Sequence, residues 1–330
     1  MSTMRDVARV AGVSAKTVSR VMNNDRYVSD DVRARVLQAV EQLQYVPNAM
    51  ARSFRSGQDT AIGVAVPAVT GFFGHVVESV ERIARDRGVA MYLTCLGEEA
   101  GAEQAAIESL LARNVVGLLV APIAEDQSYL KPWRDRTSMV FVDRRPRKLV
   151  AAYVVHDDNG GTRLAITHLL DHGHRRIAFA GDSPHVPTTA RRRTTYELTL
   201  FDGGVAVDPF LVSWDAHQTP VVPRLLALTN PPTAIFSASP TCSMQIARQL
   251  HTMGRPDVTL IGFGDFPMAD TLTPPVSVID QDPTELGMLA ANRLFRRIDE
   301  PDKRLPRQTV VPVSLVRRGC CERSPVLAAP

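Results

Sequence analysis

Cysteine is scarce in this chain. Four of the 330 residues are cysteines, at 95, 242, 320 and 321. None forms a CxxC pair with a second pair at zinc spacing, which excludes a cysteine-built zinc module and a disulfide scaffold. The adjacent Cys320 and Cys321 read as spare thiols, and free thiols suit a reducing, cytoplasmic setting. Long apolar runs are missing too. Stretches such as Val115–Ala121 fall far short of the ~20 residues that span a bilayer, so they suit buried strands. The opening MSTMRDVARVAG has no apolar segment of the export type, so no signal peptide is expected. No GxGxxG turn, P-loop or nucleophile elbow occurs. Gly262-Phe263-Gly264 lacks the third glycine and meets Pro267 soon after. The Asp157-Asp158-Asn159-Gly160 loop lacks EF-hand spacing. These absences exclude the common Rossmann enzymes, kinases and phosphatases, so no catalytic residue, cofactor or metal is expected. There is no solenoid repeat, no low-complexity tract, and no leucine heptad after Val316 to build a coiled coil.

What is present is an uneven charge and a change of pattern near residue 60. Residues 1–57 hold nine Lys/Arg against five Asp/Glu, while the whole chain is only +3. A basic head on a near-neutral body points to a polyanionic partner for the head. The first 46 residues read as helical. Val7, Ala8 and Ala11 share one face, and Gly12-Val13 breaks that helix. Ser14 can cap a second helix running to about Met22, and Asn23-Asn24-Asp25 ends it. Ser29 can cap a third, with Asp30 and Asp31 in its first turn and Val32, Val36, Val40 and Leu43 on one stripe. Pro47 marks a boundary before a short segment, Asn48–Arg55. From Ala61 onward, short apolar strands alternate with amphipathic helices, which implies parallel sheets covered on both faces. Such strands include Ile62–Val66, Gly117–Val120, Ile177–Ala180, Ala234–Phe236 and Leu260–Phe263. The helical stretches include Val76–Arg87, Ala102–Arg113, Thr162–His172 and Thr284–Ile298. Roughly 260 residues of this pattern are enough for two lobes with a cleft between them.

A helix, a glycine turn and a second helix make a helix-turn-helix, whose second helix enters the major groove with its first residues nearest the bases. Those residues are Ser14, Ala15, Lys16 and Thr17, with Ser19 and Arg20 close behind. Lys16 and Arg20 project from one face, and an arginine fork suits guanine O6 and N7. On this pattern alone, a three-helix module packing on protein remains open beside DNA binding.

The stretches MRDVARVAGVSAKTVSRVMNN, YVSDDVRARVLQAV and YVPNAMARSFRSG closely resemble the head of the LacI/GalR repressors, without a gap over residues 4–57. The resemblance implies that Ala15, Lys16 and Arg20 read bases, while Thr3, Ser14, Thr17, Ser19, Asn23 and Tyr45 hold phosphates. It also implies that Asn48–Arg55 is a hinge that becomes helical when two chains meet on DNA. Eight residues are too few for a stable helix in water. Arg52 and Arg55 would meet phosphates, and Ala51 lets the backbone approach the minor groove. Phe54 stands where the family carries a wedging leucine, and phenylalanine is a known wedge between base steps.

At lower specificity, AIGVAVPAVTGFFGHVVESVE, HLLDHGHRRIAFAGD, TARRR, IGFGDFPMAD and VPVSLVRRG resemble the core of the same repressors, which is similar to periplasmic binding proteins. The implied fold is an all-α helix-turn-helix head (1–46), a hinge (47–58) and an α/β two-lobed core with Rossmann-like parallel sheets (59–330). Lobe one would be about 59–156 and 283–308, and lobe two about 157–282 plus the final strand. The implied partners are double-stranded operator DNA, a second copy of the chain and a small-molecule effector, with no membrane. Phe73 matches an aromatic that stacks on the effector, and Arg193 matches a clamping arginine, with Arg191 as a lesser candidate.

Other positions depart from the family's sugar-binding pattern. Ser239-Pro240 replaces an Asn-Asp pair. Gly264-Asp265 replaces two acids, and Thr195-Tyr196 replaces Gly-Tyr. Loss of a carboxylate beside a retained arginine favours an anionic effector such as a sugar acid over a neutral hexose. His172-Gly173-His174 belongs to the family's strand-entry motif. A periplasmic solute-binding protein would share the body but has no use for residues 1–57.

Overall fold

The computed structural model describes residues 3–22, 25, 27–45, 61–97 and 99–319. They fall into two compact units, Met1–Asp59 and Thr60–Pro330. Asn23, the hinge residues Asn48, Ala51, Arg52, Phe54 and Arg55, and the Cys320-Cys321 pair lie outside the described residues.

The first unit holds three helices, α1 (Met4–Ala11), α2 (Ala15–Met22) and α3 (Asp30–Gln42). A capping box opens α1. The Thr3 hydroxyl accepts from the Asp6 N–H, and the Asp6 carboxylate accepts from the Thr3 N–H at 2.9 Å. Donors that the first turn cannot pair internally are thereby satisfied. Gly12 closes α1 with φ 64°, a left-handed turn that glycine adopts without a Cβ clash. The Ser14 hydroxyl accepts from the Thr17 N–H at 3.1 Å, which starts α2. Ser29 departs from expectation, because it precedes α3 without any side-chain cap bond. Asp30 and Asp31 still complement the positive end of that helix. Val7, Val18 and Val36, one from each helix, are fully buried together. Each contributes about 1.5–3 kcal/mol of apolar burial, and Val32, Val40 and Leu43 pack against them.

The second unit alternates strands and helices: β1 (Ala61–Val66), α4 (Gly71–Asp86), β2 (Ala90–Cys95), α5 (Glu103–Leu111), β3 (Gly117–Val120), β4 (Ser138–Val142) and β5 (Ala152–His156). It continues with α6 (Asp158–Asp171), β6 (Ile177–Ala180), α7 (Pro187–Asp202), β7 (Val212–Ser213), α8 (Val222–Leu226), β8 (Ala234–Ser237), α9 (Pro240–Thr252), β9 (Thr259–Phe263) and β10 (Ser277–Asp280). It ends with α10 (Pro283–Asp299), β11 (Gln308–Val311) and β12 (Ser314–Val316).

These strands form two six-stranded sheets, ordered β11-β5-β4-β3-β1-β2 and β12-β10-β9-β8-β6-β7. All pairings are parallel except β10 with β12. Central strands of such sheets are covered on both faces, so they read as unbroken apolar runs. In β1, Ile62, Val64 and Val66 pack under α4 and α10, while Ala61 and Ala65 face α5. The chain enters the second sheet after β5, returns through α10 to the first, and ends in the second with β12. Each sheet has a point where neighbouring strands lead off in opposite directions, between β1 and β3 and between β6 and β8. Crevices outside the carboxyl ends of strands at such points are where α/β sheets bind ligands.

Candidate functional site

In the first unit, α2 presents a polar face. Ser14, Lys16 and Arg20 are exposed, and Ala15, Thr17 and Ser19 are half-buried. Val18 and Val21 anchor the opposite side in the core. The Arg20 guanidinium lies 3.5 Å from the Asp25 carboxylate and stays half exposed. The Ser14 and Thr17 hydroxyls share a hydrogen bond of 2.9 Å. A short helix carrying two exposed cations four residues apart, flanked by hydroxyls, can address phosphates and base edges together.

In the second unit, charged and aromatic groups converge at the carboxyl ends of the strands. Asp157 caps α6 by accepting from the Gly160 N–H at 2.9 Å. That leaves Asp158 in the first turn, where a helix N-terminus favours negative charge. Asp158 is buried, yet it receives Arg192 Nε at 2.9 Å and Arg191 Nη1 at 2.8 Å. The Arg192 guanidinium also donates to the Ala238 carbonyl at 2.6 Å and to Gln281 Oε1 at 3.4 Å, and it lies 3.6 Å over the Phe263 ring. One side chain on α7 thus ties together the ends of β8, β9 and β10 and the start of α6.

The first sheet contributes Asp143 at the end of β4, with φ 64°. Burial pushes its carboxyl pKa up, against the pull of the Arg144 and Arg192 guanidiniums. Arg144 donates to the Pro122 carbonyl at 3.1 Å and sits 5.8 Å over Phe73. His156, at the end of β5, is buried, and its pKa falls to about 4 because burial, and then the Arg192 charge, disfavour the imidazolium.

The model of bacterial regulatory proteins of the lacI family matches residues 3–48, and that of a periplasmic binding protein-like domain matches 166–321. The chain is 31% identical to the ribose operon repressor of Escherichia coli K12 over 97% of its own length and 99% of the other's. It is 27% identical, with the same coverage, to the transcriptional repressor PurR of Histophilus somni strain 129Pt. Its fold superposes on the Lac repressor dimer bound to operator and the anti-inducer ONPF with a TM-score of 0.86, at 25% identity over 97% of this chain and 99% of that one. The chain belongs to the LacI family. It is a DNA-binding transcriptional repressor with a helix-turn-helix head and a periplasmic-binding-protein-like effector domain.

Within this LacI-family repressor, the residues singled out from sequence land in different settings. Thr3 is exposed at the start of α1, its hydroxyl engaged in the capping box. Tyr45 is buried in the head core, so its ring supports the three helices. Phe73 lies in the first turn of α4, which follows β1, packed edge-on against Phe72 at 5.2 Å. Arg193 turns away from Asp158 and pairs instead with Glu197 at 2.9 Å, beside Trp214. The arginine at the strand ends is its neighbour, Arg192, which sequence reasoning missed by one residue. The available signal was Tyr196, which is fully buried and donates to the Ile177 carbonyl at 2.7 Å. Arg192 is four residues before it and therefore shares its inward helix face.

Ser239 caps α9 and donates to Asp182 at 3.1 Å. Asp265 is held by Arg318 at 2.8 Å, and this pairing depresses its carboxyl pKa. Gly264 has φ 85°, and a Cβ there would meet Gln281 Nε2 and Pro240 Cγ at 2.7 Å. The missing acid is therefore a repacked turn, where a side chain would require Gln281 and Pro240 to shift. His172 and His174 bond to the His168 carbonyl and the Thr233 hydroxyl at 2.7 and 2.8 Å, as strand-entry residues. No helix among the described residues is long and apolar enough to cross a membrane.

Proposed function

We propose that this repressor binds a pseudo-palindromic operator as a homodimer, and that a small anionic sugar derivative, such as a sugar acid, changes its operator affinity from the cleft around Arg192. The observation that carries the reading is the Arg192 junction. A buried arginine whose partners come from α6, β8, β9 and β10 is placed so that a ligand bonding to it is felt by several elements of one lobe. Asp143 and Arg144 on the other lobe are within electrostatic reach. Arg191 and Arg192 share one carboxylate, so the junction carries surplus positive charge, and Gly264 removes the acid that would compete for it. The named relatives support a small polar effector as a class. One is a ribose operon repressor, and one structural relative is a CelR–cellobiose complex. The carbohydrate is a proposal for this chain, as are the DNA roles of Ser14, Ala15, Lys16, Thr17, Ser19, Arg20 and the hinge wedge Phe54. We read the cleft as a binding site and not a catalytic one, acting in the cytoplasm where the operator lies.

A thermal-shift panel on the full chain tests the effector class, using gluconate and ketogluconates, neutral pentoses and hexoses, disaccharides, sugar phosphates and purines. A ligand at about 100 times its Kd stabilises the fold by roughly 2.7 kcal/mol. Stabilisation by acids or phosphates alone supports the reading. Stabilisation by neutral sugars alone removes the anionic class.

A further inference from the structure

The switch point of the second sheet holds a cluster that the effector reading does not use. Asp182 follows β6, His217 follows β7, and Cys242 lies in the first turn of α9 after β8. The Cys242 thiol donates to Asp182 Oδ1 at 3.2 Å, and His217 Nδ1 lies 3.5 Å from the same oxygen. The three ligating atoms all lie within 4.8 Å of one another. Around a tetrahedral zinc with Zn–S near 2.3 Å and Zn–N or Zn–O near 2.0 Å, donor atoms are separated by about 3.3–3.5 Å. The Cys242 Sγ and His217 Nδ1 separations from Asp182 Oδ1, 3.2 and 3.5 Å, lie within about 0.3 Å of those edges.

We propose that Asp182, His217 and Cys242 form a binding site for a divalent transition ion of the zinc class, with three protein donors and a fourth position left for water or another ligand. The donor chemistry selects the ion. A thiolate and an imidazole favour borderline metals over magnesium or calcium. One thiolate, one carboxylate and one neutral imidazole balance a 2+ charge, and binding releases the thiol proton to solvent. The donors sit at the ends of three adjacent strands, which holds them in place. The Ser239 and Thr189 hydroxyls donate to Asp182 at 3.1 and 3.4 Å and orient the carboxylate, as outer partners do in metal sites. Asp182 and His217 are partly exposed while Cys242 is buried, so an ion has a path in and the sulfur lies at the back. A redox role for Cys242 fits less well, because burial and the Asp182 carboxylate raise the thiol pKa, the opposite of a reactive cysteine. The site adjoins the effector junction, since Arg192 holds the Ala238 carbonyl and Ser239 is the next residue.

Cobalt(II) is the probe. It would be titrated into the full-length protein carrying Cys320→Ser and Cys321→Ser, so that the adjacent tail thiols stay silent. The expected result is one equivalent bound, with a thiolate-to-cobalt charge-transfer band that zinc displaces. Loss of an outer partner alone costs 10–100-fold in metal affinity, so His217→Gln and Cys242→Ser should each weaken binding about 100-fold or more. Cys242→Ser should also erase the band. His217→Gln alters a side chain at the mouth of the site and keeps the test open if Cys242→Ser fails to fold. Cys95→Ser should change nothing. No stoichiometric binding, or a band that survives in His217→Gln with unchanged affinity, overturns the proposal.

Discussion

Arg192 and Arg193 show how much a single helical position decides. Both are arginines on α7, a hundred degrees apart around the axis. The first is 4% exposed and its guanidinium is held by Asp158, Ala238 and Gln281; the second shares a half-exposed pair with Glu197. Arg192→Met strands a buried carboxylate beside Arg191 alone and should cost about 3 kcal/mol. It should also abolish the effector-induced change in operator affinity. Arg193→Met should cost less than about 1 kcal/mol and leave the response intact. Denaturation midpoints and operator titrations with and without effector separate the two, and an equal loss of response in both variants would sink the assignment.

His156 supplies a pH test at the same scale. Its folded pKa of about 4 lies below the ordinary 6.5, so the unfolded chain takes up its proton first as the pH falls. Stability should therefore drop from about pH 6.5 and level off near pH 4, by about 3 kcal/mol from this group. His156→Leu should flatten that part of the pH–stability curve. An unchanged slope would mean the imidazole is not held neutral.

At the scale of elements, turns set what the cleft can contain. The turn after β9 passes through Gly264 in the left-handed region, against Pro240 from α9 and Gln281 from the end of β10. Restoring an acid there with Gly264→Asp adds a left-handed penalty of about 1–2 kcal/mol and a clash that a neighbour must relieve. The variant should melt lower than the parent and gain no neutral-sugar binding. A variant with unchanged melting that responds to a hexose would show that the turn tolerates a side chain after all. The other turns of the cleft follow the same logic. Asp157 caps α6 and so aims Asp158 inward, and Ser239 caps α9 and so brings Cys242 to Asp182.

At the scale of the whole molecule, the division of charge becomes a binding prediction. The basic head implies several phosphate contacts per operator. Six or more contacts lower affinity about 1000-fold between 50 and 200 mM salt. A steep, linear fall of log affinity with log salt is expected in fluorescence-anisotropy titrations of the full chain on operator DNA. A flat response would contradict a phosphate-bound head.

Periodicity and punctuation by themselves determined the three helices of the head, the alternation of strands and helices beyond residue 60, and the polar face of α2. Each of these follows from local spacing, turn chemistry and capping within a few residues of chain. The resemblance to the LacI/GalR repressors, and not periodicity, marked Gly264 as a departure from the family's sugar-binding pattern. Only the tertiary structure decided the rest, because it depends on which distant residues share a strand end. Local spacing did not reveal β5, β7 and β11, because pairing with neighbouring strands defines them. The choice of Arg192 over Arg193 turned on the burial of Tyr196 against β6. The Asp182–His217–Cys242 cluster joins residues 35 and 25 positions apart in sequence, brought together where β6, β7 and β8 end side by side. Sequence spacing cannot register such a meeting, because parallel strands are neighbours in space only after the helices between them have folded back.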